Sequence, residues 1–425
     1  MSDRAHEIVP ARSCGPCLVA RQPIYDRGLE VFAYELLFRS AEGNGPGDVD
    51  GDAATSRTMV GALSEIGLDA IVGDRFGFVN ATARFVLDDF APLFPSERIG
   101  FELLEDVPVS PGLLAKLREL VAAGYVVALD DFVYRDELRP LLDLARIVKL
   151  DVRELDRGEL ADHVERLTPL RLKLLAEKVE DHETFEVCRE LGFDYFQGFF
   201  LSRPRTLAGD AIPTPKLSRL RLLAALHDPA VTLDQLDALL RSDVGLSYRL
   251  LRLINSSFFY LPHKVHSIRQ ALVLLGERKL RKWTTVLVLA DLDDRPPELT
   301  RIALVRARMC ELLGEAGGRR DGSSCFVVGL FSLLDAFLDS PLEEILDRLP
   351  LDENVTAALR DRSGPLGELF ATVLAYEEGR FDELGEPHRA DLLRTCYLDA
   401  LAWAAETAPQ PVARPARRAG RRARR

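Results

Sequence analysis

The chain has 425 residues, of which 47% are hydrophobic and 29% are charged. This length exceeds that of an ordinary domain and predicts two domains, while the composition excludes a fibrous or fully disordered protein. No apolar run is long enough to cross a bilayer and no signal-peptide pattern is present at the N-terminus, so we expect a cytoplasmic protein without membrane contact.

Charge is unevenly distributed along the chain. The net charge is -12, yet residues 414–425 contain seven arginines and no acid, which leaves -19 for the rest. A body this acidic disfavours general nucleic-acid binding and suits cation sites. The tail, residues 406–425, is predicted to be disordered, and we interpret it as a solvated extension. The alternative is that this tail contacts nucleic acid or an acidic partner, and we expect no such contact from the rest of the chain.

The N-terminal segment contains a pair of cysteines. Residues 1–16 are predicted to be a disordered leader, and Cys14-Gly15-Pro16-Cys17 has the spacing of a thioredoxin-type redox pair. Such a pair requires a preceding strand and a following helix. Here a polar segment precedes the cysteines and an extended stretch follows, so we reject a redox role.

From residue 17 to residue 204 short apolar strands alternate with amphipathic helices, a pattern typical of βα units. The run Tyr125–Leu129 is predicted to be a buried strand, and it ends in the adjacent acids Asp130 and Asp131. Two neighbouring carboxylates are unfavourable unless a cation neutralises them. The alternative is that they begin a helix, where acids are common.

The other predicted strands also end in polar residues. The strand from Val31 is predicted to end at Glu35, and the further strand-end residues are Asn80, Glu102, Lys149 with Asp151, Glu177 with Glu180, and Gln197. In a βα barrel the C-terminal ends of the strands converge on one face. Oxygen ligands without His or Cys favour Mg²⁺ or Mn²⁺, and a lysine among them suits phosphate chemistry. The pattern predicts metal-assisted phosphoryl chemistry.

The order of these motifs resembles the EAL-type phosphodiesterases of cyclic di-GMP over residues 18–204. The motifs are Gln22-Pro23-Ile24, Glu35-Leu36-Leu37-Phe38-Arg39, Asn80, Glu102 with Glu105, Asp130-Asp131-Phe132, Lys149 with Asp151, Ala176-Glu177-Lys178-Val179-Glu180 and Gln197-Gly198. The resemblance implies hydrolysis of cyclic di-GMP to linear pGpG and a homodimer formed through the barrel.

The resemblance also implies roles for single residues. Glu35, Asn80, Glu102 and Asp130 would hold one metal ion, and Asp130 and Asp131 would contact a second. Lys149 and Glu177, with Glu35, form the implied catalytic set. The residues that would contact the dinucleotide are Gln22, Arg39 and Gln197. The residues that would support the site are Glu105, Asp151 and Glu180. Two ions, Mg²⁺ or Mn²⁺, are therefore expected.

Three features depart from the family pattern. Leu36 stands where the family has alanine, Val133-Tyr134-Arg135-Asp136 replaces a glycine-rich loop, and the barrel is short for its fold. Two hypotheses follow. The first is a metal-dependent phosphodiesterase, and the second is a catalytically silent receptor or scaffold.

The second half is predicted to be helical. Residues 205–216 are predicted to form a linker, and helical periodicity dominates residues 217–405. The segments Asp243–Ser256 and Ser267–Gly276 resemble the HDOD domain, which implies an all-helical regulatory module with an unidentified protein partner. His227 is interpreted as the last residue of a helix rather than a metal ligand, and Asn255 as a helix-terminating residue. The predicted fold class is thus α/β plus all-α: a shortened TIM-like barrel over residues 17–204, followed by a helical HDOD domain.

Overall fold

The computed structural model describes most of the chain. The described residues are 17–40, 59–63, 65–104, 107–203, 214–228, 230–255, 264–290, 296–319, 322–384 and 389–407. The predicted leader and most of the predicted linker and tail lie outside these ranges, as does Glu105. Within them the chain forms a closed eight-stranded barrel followed by a helical region, which confirms the predicted fold class.

The barrel contains the full set of eight strands although its sequence is short. The strands are β1 Cys17–Asp26, β2 Val31–Ser40, β3 Phe76–Ala81, β4 Ile99–Leu103, β5 Val126–Leu129, β6 Ile147–Asp151, β7 Lys173–Glu177 and β8 Tyr195–Gln197. Strands β2 to β8 pair in parallel in chain order. Strand β1 closes the barrel and is antiparallel to both β2 and β8.

Strand β2 is longer than the sequence predicts. Glu35 lies in the middle of β2, and the strand continues to Ser40. The reason is that β1 pairs with β2 from Cys17 opposite Ser40 to Gln22 opposite Glu35. This pairing supplies partners for β2 beyond Leu36, the last residue of β2 that pairs with β3.

The helices of the barrel are short and begin at recognisable caps. They are α1 Leu68–Val72, α2 Ala83–Leu87, α3 Pro111–Ala122, α4 Arg139–Leu142, α5 Arg157–Leu167 and α6 His182–Leu191. Ser110 caps α3 by accepting a hydrogen bond from the backbone N–H of Leu113, and Pro111 occupies the first helical position. Asp156 and Glu159 form a reciprocal capping box on α5.

The described part of the region after residue 213 contains helices and connecting turns but no strand. Its helices are α7 Thr214–His227, α8 Leu233–Ser242, α9 Val244–Ile254, α10 Ile268–Leu275, α11 Glu277–Ala290, α12 Pro297–Ala316, α13 Gly322–Phe331, α14 Leu334–Leu338, α15 Leu342–Leu346, α16 Glu353–Asp361, α17 Gly364–Glu377 and α18 Ala390–Thr407. None of the described helices combines the length and apolarity that a membrane span requires.

Asn255 stabilises the turn after α9, as predicted. Its side-chain amide donates to the carbonyls of Leu251 and Val265, and its carbonyl accepts from the backbone N–H of Val265. One side chain thereby ends the helix and fixes the incoming chain before α10.

The helical region covers the edge of β1. The backbone N–H of Val19 donates to the hydroxyl of Tyr376 at 3.4 Å, and that of Arg21 to the hydroxyl of Tyr397 at 3.3 Å. The side chains of Leu18 and Ala20 are buried in the same hydrophobic core as helices α7 to α18. Helices α17 and α18 therefore satisfy polar groups of a strand edge that β8 pairs only from Ile24 onward.

Candidate active site

The candidate site is the top layer of the barrel interior. Ala33, Phe78, Ala128, Ile147 and Leu175 are buried together inside the barrel. In a strand, residues two apart face the same side. The next inward positions toward the C-terminal ends of the strands are Glu35, Asn80, Asp130, Lys149 and Glu177. The barrel interior thus has a lower layer of apolar side chains and an upper layer of polar side chains. The reason is that, in these strands, the polar residue follows the buried apolar residue by two positions.

Lys149 lies at the centre of four carboxylates. Its ammonium nitrogen is 2.7 Å from Glu102 Oε2, 2.8 Å from Asp130 Oδ1, 2.9 Å from Glu177 Oε1 and 3.5 Å from Glu35 Oε2. The lysine is fully buried, and its neighbours are at most 9% exposed. We call these five residues the inner cluster. If every carboxyl is ionised, its formal charge is -3.

Amide side chains hold Glu35 in place. Asn80 Nδ2 donates to Glu35 Oε1 at 3.1 Å, and Gln197 Nε2 donates to Glu35 Oε2 at 2.6 Å and to Gln22 Oε1 at 3.1 Å. Burial alone would raise the pKa of Glu35, but Lys149 and these amides lower it below its ordinary value. The site therefore keeps Glu35 ionised.

Glu102 and Glu177 retain protons more strongly than Glu35 does. Burial, assisted by the nearby charges of Glu35 and Asp130, raises the pKa of Glu102 well above its ordinary value despite Lys149. Burial likewise raises the pKa of Glu177 from 4.5 to about 8 against the attraction of Lys149. One ammonium is thus insufficient for four buried carboxylates, and the inner cluster has an excess of negative charge.

The donor atoms of the inner cluster suit a hard cation. In the described structure, buried oxygens without a hydrogen bond include Glu102 Oε1 and Glu177 Oε2 of the inner cluster and, beside it, the amide oxygens Asn80 Oδ1 and Gln197 Oε1. Carboxylate and amide oxygens are the ligands that Mg²⁺ and Mn²⁺ prefer. In the described ranges, however, no three His, Cys, Asp or Glu side chains have the arrangement of a formed metal site. At the inner cluster the central position is taken by the Lys149 ammonium.

A second group of charged side chains lies at the mouth of the site, and we call it the outer cluster. Its acids are Asp131, Asp151 and Glu180, and its cations are Arg153, Lys178 and Arg203. The two clusters border a cleft of about 300 Å³ that Gln22, Gln197, Gly198 and Phe199 also line. The structure thus brings Glu35, Asp130, Asp131, Glu177, Glu180, Gln22 and Gln197 to one cleft.

The turn after β5 uses Asp131 itself. Asp130 and Asp131 follow the last residue of β5, and Asp131 has a φ of 41°, in the left-handed region. The backbone N–H of Phe132 then donates to the carbonyl of Lys149 at 3.0 Å. Within the described loop 130–136, positive φ occurs only at Asp131. This explains how Val133 and Tyr134 follow the acids without the glycines of the family's loop.

One predicted substrate contact lies away from the cleft. Arg39, at the end of β2, forms an ion pair with Asp382, in the turn after α17. Gln22 Nε2 also donates to the backbone carbonyl of Glu378 at 3.4 Å. The helical region therefore contacts two residues to which the family resemblance gives a role in binding the dinucleotide.

Lys178 and Arg153 are charged residues of the cleft that sequence reasoning missed as site residues. Lys178 directly follows Glu177 within a predicted motif, and Arg153 is two residues after Asp151. Their closeness in sequence to the predicted site acids could have identified both as candidate site residues.

His227 is not part of a metal site in the described residues. It is the last residue of α7, its Nε2 is 3.1 Å from the hydroxyl of Thr285, and its ring packs against Phe331. Burial, with a contribution from Arg281, lowers the pKa of His227 to about 4. The prediction that His227 ends a helix is confirmed.

Comparison with known proteins matches both halves of the chain. The EAL domain family matches residues 83–204 and the HDOD domain family matches residues 212–337. The uncharacterized protein YuxH of Bacillus subtilis is 34% identical over 397 residues, covering 91% of this chain and 97% of YuxH. The cyclic di-GMP phosphodiesterase CdgJ of Vibrio cholerae is 33% identical over 365 residues, covering 85% of this chain and 84% of CdgJ. Among solved structures, a calcium and cyclic di-GMP complex of BlrP1 from Klebsiella pneumoniae is 22% identical, with a TM-score of 0.38, over 47% of this chain and 58% of BlrP1.

Proposed function

Since this chain belongs to the family of proteins in which an EAL domain is followed by an HDOD domain, we propose that its barrel hydrolyses cyclic di-GMP to linear pGpG. The observation that carries this proposal is the inner cluster, where four carboxylates surround one lysine and two neighbouring amides hold Glu35 in place. The name of the relative CdgJ supports the choice of substrate. A dinucleotide with two phosphates also suits a cleft with cationic side chains at its mouth.

The proposed reaction depends on Mg²⁺ or Mn²⁺. Glu35, Asn80, Glu102 and Asp130 would hold the ion, because their oxygens are buried and carry more negative charge than Lys149 neutralises. Asp131 is the further metal contact that the family resemblance implies. A bound divalent ion would supply polarisation of the phosphate and a lower pKa for water.

Glu177 is the proposed general base. A base is most effective when its pKa lies near the working pH, and burial raises the pKa of Glu177 to about 8. Lys149, 2.9 Å from Glu177 Oε1, would hold this carboxylate in place and orient the attacking water. Gln22 and Gln197, which line the same cleft, would contact the dinucleotide.

We further propose that the helical region regulates the barrel. The ion pair between Arg39 and Asp382 and the hydrogen bond from Gln22 to Glu378 engage two proposed substrate contacts. A partner protein that moves the turn after α17 would release both, and would thereby change the affinity for the dinucleotide.

The test is incubation of the purified full chain with cyclic di-GMP and Mg²⁺ or Mn²⁺, with pGpG followed by chromatography. We expect turnover that requires the added ion and that Glu35→Gln abolishes. The matched control is Glu30→Gln, an exposed glutamate just before β2, which should leave turnover unchanged. Turnover that persists in Glu35→Gln would contradict the proposal.

A cyclic di-GMP receptor without turnover is the second candidate function. The specific observation in its favour is that Lys149 occupies the centre of the acids and Arg39 is engaged by Asp382. Binding of cyclic di-GMP by calorimetry without formation of pGpG would identify the receptor. Absence of both binding and turnover would leave the scaffold hypothesis.

A further inference from the structure

The two charged clusters differ in their balance of charge. The inner cluster has four carboxylates and one ammonium. In the outer cluster three acids face three cations, with Lys178 bridging Asp131 and Asp151 and both arginines approaching Glu180 at 3.2 to 3.5 Å. If every group is ionised, the outer cluster is neutral. A divalent cation therefore gains far more from the inner cluster than from the outer one.

Lys178 is positioned as a cation for two acids. Its Nζ is 2.5 Å from Asp151 Oδ2 and 3.1 Å from Asp131 Oδ1. Asp151 is buried, and its Oδ1 accepts a further hydrogen bond from the backbone N–H of Arg153 at 2.9 Å. Lys178 has a φ of 57°, a left-handed conformation that turns the chain immediately after β7.

The buried oxygens without a hydrogen bond lie in or beside the inner cluster. Within the described residues, buried oxygens without a hydrogen bond include those of Glu102, Glu177 and Gln197. Asp131, which is exposed, and Asp151, which is buried, both accept from Lys178. A cation entering the site would find free ligand atoms in the inner cluster. Near Asp131 it would have to displace an ammonium that already pairs with two carboxylates.

We propose that this site binds one divalent ion, in the inner cluster, and that the ammonium of Lys178 takes the place of a second cation beside Asp131. The inference rests on the proposed function, because it concerns the ion that the proposed hydrolysis requires. It replaces the two ions that the family resemblance implies. Lys178 is partly exposed in the cleft, so its charge also faces the space available to a substrate phosphate.

The test counts ions rather than activity. The full chain is stripped with EDTA and dialysed against Mn²⁺, and bound manganese is measured per chain. We expect one ion in the wild type and two in Lys178→Met, since Asp131 then loses the cation that pairs with it and Asp151 keeps only Arg153, at 3.6 Å. Lys178→Gly provides a second variant that relaxes the left-handed backbone, and it should also bind two.

The matched control lies at the other end of the same strand. Lys173 begins β7 and pairs with Asp194 at 2.7 Å, and Lys173→Met should still bind one ion. Two ions of similar affinity in the wild type would overturn the inference and leave the proposed function standing. One ion in both Lys178 variants would also overturn it, whereas no ion in the wild type would contradict the proposed function as well.

Discussion

Replacing Glu177 by glutamine tests whether the inner cluster has an excess of negative charge. Glutamine has nearly the same shape as a protonated glutamate. Glu177→Gln therefore removes the titratable carboxyl group and leaves the packing around residue 177 almost unchanged. At pH 5 the folded wild type holds a proton on Glu177, and the two proteins should be similarly stable. At pH 8 the folded wild type must either hold a proton that is scarce in solution or bury the ionised carboxylate of Glu177. Both cost free energy that the variant does not spend.

The magnitude follows from the pKa. Burial raises the pKa of Glu177 from 4.5 to about 8 in the folded state. Between these values the folded protein binds a proton that the unfolded chain has released, so the free energy of unfolding falls as the pH rises. Each pKa unit corresponds to about 1.4 kcal/mol, which gives a ceiling of roughly 5 kcal/mol between pH 4.5 and 8. The stability contribution is complete below pH 4.5 and is lost as the pH approaches 8.

The assay is urea unfolding of the full chain in EDTA at pH 5, 6.5 and 8, followed by circular dichroism. Glu102 contributes a decline of its own in both proteins, so the quantity of interest is the difference between them at each pH. We expect the variant to become progressively more stable than the wild type as the pH rises. Saturating Mn²⁺ should reduce this difference, because the ion stabilises the ionised carboxylate. Parallel stability profiles in EDTA would refute the reasoning.

Two further predictions concern the walls of the site. Gly198→Ala should lower the thermal midpoint of unfolding and weaken dinucleotide binding. The reason is that Gly198 has a φ of 148° and that an added Cβ would lie 2.1 Å from the carbonyl oxygen of Val179. An unchanged midpoint would contradict this account of the turn after β8. Asp382→Asn should release Arg39 and raise the affinity for cyclic di-GMP severalfold by calorimetry, while Glu383→Gln in the same turn serves as the control; equal affinities would argue against a regulatory contact.

The sequence predicted the layer of site residues because strand periodicity is local. A polar residue two positions after a buried apolar one, as in Ala128 and Asp130, is readable from spacing alone. The continuation of β2 past Glu35 was not predictable in this way, since it depends on pairing with β1 rather than on the residues of β2.

Contacts between distant segments were equally inaccessible to sequence reasoning. From their residue types, Arg39 and Asp382 are expected only to be charged surface residues. Helix and strand periodicity relates neighbouring positions, so it cannot predict a contact between residues so far apart in the chain. The left-handed turn at Asp131 depends on the geometry of a strand end, so the absence of glycines there suggested a disrupted loop that the structure does not have. The dimer and the partner of the helical region stay predictions.

The hydroxyls of Tyr376 and Tyr397 on the edge of β1 have a consequence for synthesis of the chain. The barrel strands leave the ribosome well before α17 and α18 do, so β1 is made more than 350 residues ahead of the groups that satisfy its backbone. Until then its edge is a template on which another strand could add. We therefore expect nascent or truncated chains without these two helices to depend on chaperones, and to aggregate through β1 when chaperones are absent.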